Sequence, residues 1–370
     1  MREDHKVQEK VVVGPLIYWK DVFITKVRGL AAATVSRLVL PDMYAFIKRR
    51  LIGFEAFVVL YHRISPEKDS WSFETLSPQS FERQIECFRQ NHEILSLDRL
   101  VQCLRGEKPL PKRGVVITFD DGYKDNYLYA YPILRRLRIP ATVFLVTGHI
   151  GTSKMFWWDK VGYLVQHTTA KRLKLDELGS YSLKSGLDRS YVRLMIINKL
   201  KNLPEQRKNF LVEKLADISG VEIPEDLGKE LILSWEEVRE MSRNGIDLGA
   251  HSVTHPIMTH MSLSQARWEI KQSRESIDEK VGKEVSLFAY PDGDFTAEIA
   301  KLAKECGFAA AVTIDNKWIT PKTDCYQLSR IYMSEDSNTS NIMLCGLWGD
   351  LQAALGQRKG YQEHTRILLS

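Results

Sequence analysis

A chain of 370 residues with 44% hydrophobic and 27% charged side chains has the composition of an ordinary globular protein, which excludes disorder as its main state. The net charge of +5 is confined to residues 1–53, where ten basic side chains meet five acidic ones; the remainder carries 42 of each and lacks the basic stripe that a nucleic-acid partner requires. Five cysteines (Cys87, Cys103, Cys306, Cys325 and Cys345), with no CxxC among them, exclude a disulfide scaffold and a zinc ribbon and point to reduced thiols in a cytoplasmic setting.

The chain opens MREDHKVQEK, and its nearest apolar run, Val11 to Trp19, is broken by Gly14 and Pro15. Neither a secretory signal nor the run of about 20 apolar residues needed to span a bilayer is visible. The expectation is a non-spanning, cytoplasmic protein with residues 1–53 as a basic, helical N-terminal extension. Residues 22–53 are apolar with interspersed Lys26, Arg28, Arg37, Lys48, Arg49 and Arg50. Such a segment suits either peripheral contact with an anionic membrane surface at the inner face or a helical arm packed on the domain.

Strands then alternate with helical patterns, which predicts an α/β architecture. Phe57 to Tyr61 reads as a strand, and Ser77-Pro78 opens a helix with Phe81, Ile85 and Phe88 on its apolar stripe. Gly114 to Phe119 is a buried strand, residues 124–138 a helix, and Ala141 to Val146 another strand. Residues 152–233 break this rhythm and read as a helical insertion. Beyond it, Ser234 with Glu237 and Ser262 with Gln265 fit capping boxes. Strands are expected at Ile246 to Ala250, Val285 to Tyr290, Phe308 to Ile314 and Gln327 to Tyr332, with a helix over 296–306.

Three segments just after strands carry chemistry, at the carboxyl ends where parallel α/β folds bind ligands. Asp120 and Asp121 are adjacent carboxylates at a turn, so one can take a metal while the other faces a water; alone, they are equally a polar strand end with a helix N-cap. His251 and His255, four apart, are expected on one face of a helical turn, and with an Asp they make an open metal site with room for water and substrate. Phe288 to Asp294 holds a Pro-Asp-Gly turn, which suits a plain tight turn or a groove wall formed by Asp292.

TFDDGY at 118–123, GAHSVTH at 249–255 and AYPDGD at 289–294 together resemble the polysaccharide deacetylase family, also called NodB-homology or carbohydrate esterase 4. The resemblance covers residues 54–335 apart from the insertion at 152–233 and leaves 336–370 as a helical C-terminal tail. It implies an irregular (β/α) barrel, usually of seven strands, and a metal-dependent hydrolase that removes N-acetyl groups from an amino-sugar glycan or glycolipid. It makes Asp120 the general base and Asp121, His251 and His255 the metal ligands, with Tyr123, Tyr290, Pro291 and Asp292 as substrate contacts; Arg330, outside the matched motifs, is a further candidate for binding substrate. The Tyr123 N–H could help hold the oxyanion, and Arg330 could instead orient Asp120. Zinc is the default ion for this donor set, with nickel, cobalt, iron and manganese compatible.

The chain departs from the family pattern twice. The late strand Leu328-Ser329-Arg330-Ile331 lacks the usual Leu-x-His, and Phe288 stands where an Arg is expected. The early Leu60-Tyr61-His62-Arg63 resembles instead the rearranged branch that deacetylates poly-N-acetylglucosamine in exopolysaccharide biosynthesis, which implies His62 as the general acid. Two further readings stand beside this one: removal of a formyl or acetyl group from a lipid-linked sugar at the cytoplasmic membrane face, and a non-catalytic glycan-binding relative.

Overall fold

The computed structural model describes residues 40–52, 55–66, 71, 75–175, 177–335, 340 and 344. Residues 1–39 of the expected extension, and all but two residues of the expected tail at 336–370, lie outside the described residues.

Seven parallel strands close into a barrel. They are β1 (Glu55–Tyr61), β2 (Arg113–Phe119), β3 (Ala141–Leu145), β4 (Ile246–Ala250), β5 (Leu287–Ala289), β6 (Ala310–Ile314) and β7 (Leu328–Tyr332). Each pairs with its successor in the chain, and β7 returns to β1 with Val58 opposite Arg330 and Leu60 opposite Tyr332. A short strand, Glu93–Leu95, adds to β2 alongside Gly114–Val116, below the point where β3 takes over at Thr118 and Phe119.

Among the described residues, ten helices of seven or more residues surround or precede these strands, besides a five-residue turn of helix at Leu227–Leu231. They are α1 (Leu40–Ile52), α2 (Pro78–Asn91), α3 (Leu97–Leu104), α4 (Tyr131–Leu137), α5 (Trp157–His167), α6 (Gly186–Lys201), α7 (Glu205–Ser219), α8 (Trp235–Arg243), α9 (Leu263–Val281) and α10 (Ala297–Glu305). The expected capping boxes at Ser234/Glu237 and Ser262/Gln265 are both formed, and Ser77 caps α2. The predicted helix over 124–138 begins at Lys124 but widens into a π segment, Asn126–Ala130, before continuing as α4. Pro132 has no N–H for the Leu128 carbonyl, and a wider turn accommodates the break.

Because side chains alternate across a strand, each strand sends every second residue to the barrel axis. Val58, Val116, Phe144, Val312 and Leu328 fill the interior, and Leu97, Leu100 and Val101 of α3 plug its lower end. The opposite faces pack Val59, Ile117, Val143 and Ile331 against the surrounding helices. The interior is tight enough to demand glycine at one point: a Cβ on Gly249 would lie 2.4 Å from the Phe144 ring.

The insertion is not purely helical, as the sequence reading expected. Between α5 and α6 it forms an antiparallel hairpin, Arg172–Leu175 with Gly179–Ser182. Leu173 and Leu175 alternate with exposed Arg172 and Lys174, a period of two that is short enough to be lost among the helical patterns. The insertion has its own core, built on Leu164, Leu173, Ile196, Leu211 and Leu215. Its two ends are pinned to the barrel, since Gly151 N–H donates to Leu233 O (2.8 Å) and Leu233 N–H donates to Gly122 O (3.0 Å).

Gly249→Ala is expected to cost about 1–3 kcal/mol through overpacking against Phe144. A lowered urea midpoint at unchanged m-value is the signature to measure.

Candidate metal centre and active site

The alternation that fills the barrel also aims the candidate site. Asp120 is two residues beyond the interior Thr118, His62 two beyond Leu60, and His251 two beyond Gly249, so all three extend the inward set to the upper rim. Arg330, two residues after the interior Leu328 and opposite Val58, lies deeper within the barrel. His62, Asp120, Asp121, His251 and His255 line one cavity, joined by Asp292 from the turn after β5.

Asp121 would face outward on strict alternation, but its φ of 73° bends the chain there, and Gly122 follows at 77°. This left-handed geometry, disfavoured for non-glycine residues, turns both carboxylates of the pair toward the cavity. The segment carrying the histidines is likewise not the helical turn expected from the sequence. It is an irregular loop with Ser252 at φ 66° and His255 at φ 58°. Glu269 of α9 holds that loop: Oε2 accepts the Val253 and Thr254 N–H groups (2.7 and 3.0 Å), and Oε1 accepts the Thr254 hydroxyl (2.6 Å). Ser252 Oγ accepts the His255 N–H at 2.9 Å.

The result is three ligand atoms within 4.8 Å of one another. His251 Nε2 is 3.7 Å and His255 Nε2 3.6 Å from Asp121 Oδ1. Ligands about 2.1 Å from one tetrahedral ion stand ~3.4 Å apart, so both Asp121–histidine separations are near those a divalent ion requires. His251 Nδ1 lies 2.8 Å from the Ala289 carbonyl. A carbonyl only accepts, so the proton sits on Nδ1 and the Nε2 lone pair faces Asp121. Burial depresses the basicity of both imidazoles, that of His255 further through neighbouring His251, which keeps them in the neutral form that binds metal. The donor set therefore fits a divalent ion.

Arg330 fixes the other carboxylate. Its Nη1 and Nη2 donate to Asp120 Oδ1 and Oδ2, both at 2.6 Å, and its Nε donates to Thr313 O at 3.3 Å. Arg330 and Asp120 are both essentially inaccessible to solvent. Burial alone would raise the Asp120 pKa, but the Arg330 guanidinium outweighs it, with His251 assisting, and holds it at about 2. Asp120 is thus a carboxylate throughout the neutral range.

Other expected contacts separate. Tyr123 borders the cavity, and its hydroxyl donates to Asp159 Oδ2 and accepts from Trp158 Nε1, each at 2.9 Å. Tyr290 and Pro291 do not line the cavity: Tyr290 is buried, its hydroxyl donating to Tyr326 O (3.1 Å) and its ring stacked on Phe295. Asp292 lines it as an acceptor for Lys201 Nζ at 2.7 Å. Sequence reading passed over Glu269, Lys201 and Lys208. The only signal for Glu269 was a carboxylate beside Ala266 and Ile270 on the buried stripe of α9, and for the lysines there was none.

A family model described as polysaccharide deacetylase matches residues 107–311. Among curated proteins, the chain is 25% identical over 264 residues to a poly-beta-1,6-N-acetyl-D-glucosamine N-deacetylase of Staphylococcus aureus, covering 71% of this chain and 69% of that protein. Among solved structures, the fold is similar to the Streptococcus pyogenes deacetylase PplD in complex with acetate (TM-score 0.53, 18% identity, 79% of this chain and 98% of that one). It is also similar to IcaB from Ammonifex degensii (TM-score 0.52, 18% identity, 80% of this chain and 98% of that one).

Glu269→Ala frees the histidine loop without removing a ligand. Zinc titration calorimetry should show affinity reduced by about 10–100-fold at unchanged stoichiometry, the usual loss when a ligand's support is removed.

Proposed function

Because the chain belongs to the polysaccharide deacetylase family, we propose that it hydrolyses the N-acetyl group of an amino-sugar glycan, with Asp120 as general base and His62 as general acid. The convergence that carries this reading is a carboxylate locked in its ionised form by Arg330, beside a Asp121–His251–His255 donor set and a histidine on the same cavity. The 25% identity to a poly-beta-1,6-N-acetyl-D-glucosamine N-deacetylase supports an N-acetylglucosamine polymer or oligomer as the substrate class.

Asp121, His251 and His255 would hold the ion, for which zinc is the first choice given two imidazoles and a carboxylate. A divalent ion there supplies Lewis acidity to the acyl carbonyl and lowers the pKa of water. Asp120 accepts the proton of the attacking water; its two oxygens each keep a lone pair beyond the one given to Arg330. Arg330 keeps the carboxylate oriented and charged. As the tetrahedral adduct collapses, the C–N bond breaks and its electron pair goes to the sugar nitrogen. His62 delivers a proton to that nitrogen, because an amide anion is too poor a leaving group to depart unprotonated. The products are acetate and a free amino sugar. His62, just after β1, takes the acid's place, and β7, which carries no histidine, contributes Arg330.

For residues 22–53 we further propose contact with an anionic membrane surface. Among the described residues no helix is long and apolar enough to cross a membrane. Helix α1, however, exposes Met43, Phe46, Ile47 and Leu51 and carries Lys48 and Arg50.

Asp120→Asn should lower kcat for acetate release by about 10²–10⁴-fold while the protein still binds one zinc; full activity of this variant would overturn the mechanism. His62→Ala should slow the N-acetyl glycan severely but spare an aryl acetate, whose leaving group needs no proton. Equal losses on both substrates would remove His62 from the acid role. Co-sedimentation with anionic vesicles should weaken in the full-length Phe46→Glu/Leu51→Glu protein, and unchanged binding would refute the membrane contact.

A further inference from the structure

The insertion does more than decorate the barrel, because its far end returns to the mouth of the site. The last turns of α6 bring Ile197, Asn198 and Lys201 to the cavity wall, and the first turn of α7 brings Lys208. The chain leaves the barrel after β3 and re-enters at β4, yet Lys201 reaches past β4 to Asp292 on the turn after β5. Together with Trp157 and Trp158 of α5, this tip roofs the sector of the rim from β2 to β5.

The roof is braced from within and at its ends. It has its own apolar core, and both ends of the insertion are hydrogen-bonded to the turn after the catalytic Asp pair through Leu233. Its contact with the rim is also firm: Lys201 and Asp292 pair at 2.7 Å with side chains only 12% and 17% exposed. Lys208 is buried, its ammonium paired to Glu205 and placed 4.9 Å over the Trp157 ring. Separating Lys201 from Asp292 would leave two largely buried charges unpaired, which favours the closed contact of the tip with the rim.

A deacetylase that acts within a polymer needs a groove open at both ends, because sugars continue on each side of the reacting unit. Here one side of the reacting position is walled by Lys201, Asn198 and Lys208. We infer that the site takes a terminal N-acyl amino sugar, from a glycan chain end or a short oligosaccharide, and that the Lys201–Asp292 pair sets this specificity by holding the α6–α7 tip over the rim. This inference rests on the proposed N-deacetylase activity.

The test uses the full-length zinc-loaded protein and β-1,6-linked N-acetylglucosamine oligomers from dimer to hexamer, isotopically marked at the reducing end. Released acetate is quantified, and tandem mass spectrometry locates each free amine. Wild type should free the amine at one terminal unit at every length, with kcat/KM flat from trimer to hexamer. Lys201→Ala, checked for an unchanged melting temperature, should release acetate from interior units as well. Interior deacetylation by wild type, or kcat/KM that climbs with each added sugar, would overturn terminal recognition. A Lys201→Ala product pattern confined to the terminus would overturn the role of the ion pair. Absence of acetate from every oligomer would instead count against the N-deacetylase reading itself, and terminal recognition would fall with it.

Discussion

The buried pair between Asp120 and Arg330 is the constraint on which the site depends. Two charges removed from water carry a desolvation cost of several kcal/mol each, recovered only with good geometry and further hydrogen bonds. Here both requirements are met: two parallel bonds of 2.6 Å join the groups, and the remaining Arg330 donors reach Thr313 and Thr118. That arrangement exists only if β7 closes onto β1, which in turn sits beside β2. The pair therefore depends on the closed barrel, and removing either charge would leave the other uncompensated among Phe144, Thr118 and Thr313.

A second constraint is backbone strain concentrated at the donor set. Asp121, Ser252, His255 and Asp292 all adopt left-handed φ values, and all lie on the loops at the carboxyl ends of strands. A regular strand would send the two Asp side chains to opposite faces, and an extended run through 251–255 would spread the histidines apart. The bent loops bring one oxygen and two imidazole nitrogens together instead. Their strain is offset by bonds from elsewhere, chiefly the three that Glu269 accepts from Val253 and Thr254.

The insertion is coupled to the site through polar groups rather than through apolar packing alone. Asp159 of α5 accepts the Tyr123 hydroxyl, and Trp158 donates to the same oxygen while its ring meets His255 edge-on at 4.8 Å. Arg63, just after the candidate acid His62, pairs with Asp125 at 2.6 Å and lies over the Tyr123 ring. Burial pushes the Asp159 carboxyl up to about 6, against the pull of Arg63. The neck of the insertion, the Asp-Asp-Gly turn and the loop after β1 thus form one continuous network around the candidate catalytic residues.

Much of this was legible in the linear chain. The seven strands, the capped helices and the Asp120, Asp121, His251 and His255 motifs are local features, written in alternation, caps and spacings of a few residues, and these survive in sequence because neighbouring residues alone generate them. The helical-turn reading of 251–255 failed for the converse reason: the loop is shaped by Glu269, fourteen residues beyond His255 on another element. Arg330 was visible as a candidate with two alternative roles, but which applied depended on strand register and on barrel closure between residues 210 positions apart. Tyr290 was expected to contact substrate because it adjoins Pro291 and Asp292 in one motif, yet its hydroxyl turns to Tyr326, a direction set by packing. Lys201 and Lys208 carry no local mark at all. By itself the sequence determined which chemical groups the rim would present; only the tertiary structure decided which of them meet and how much of the mouth is covered, because those depend on long-range contacts that no short stretch of chain encodes.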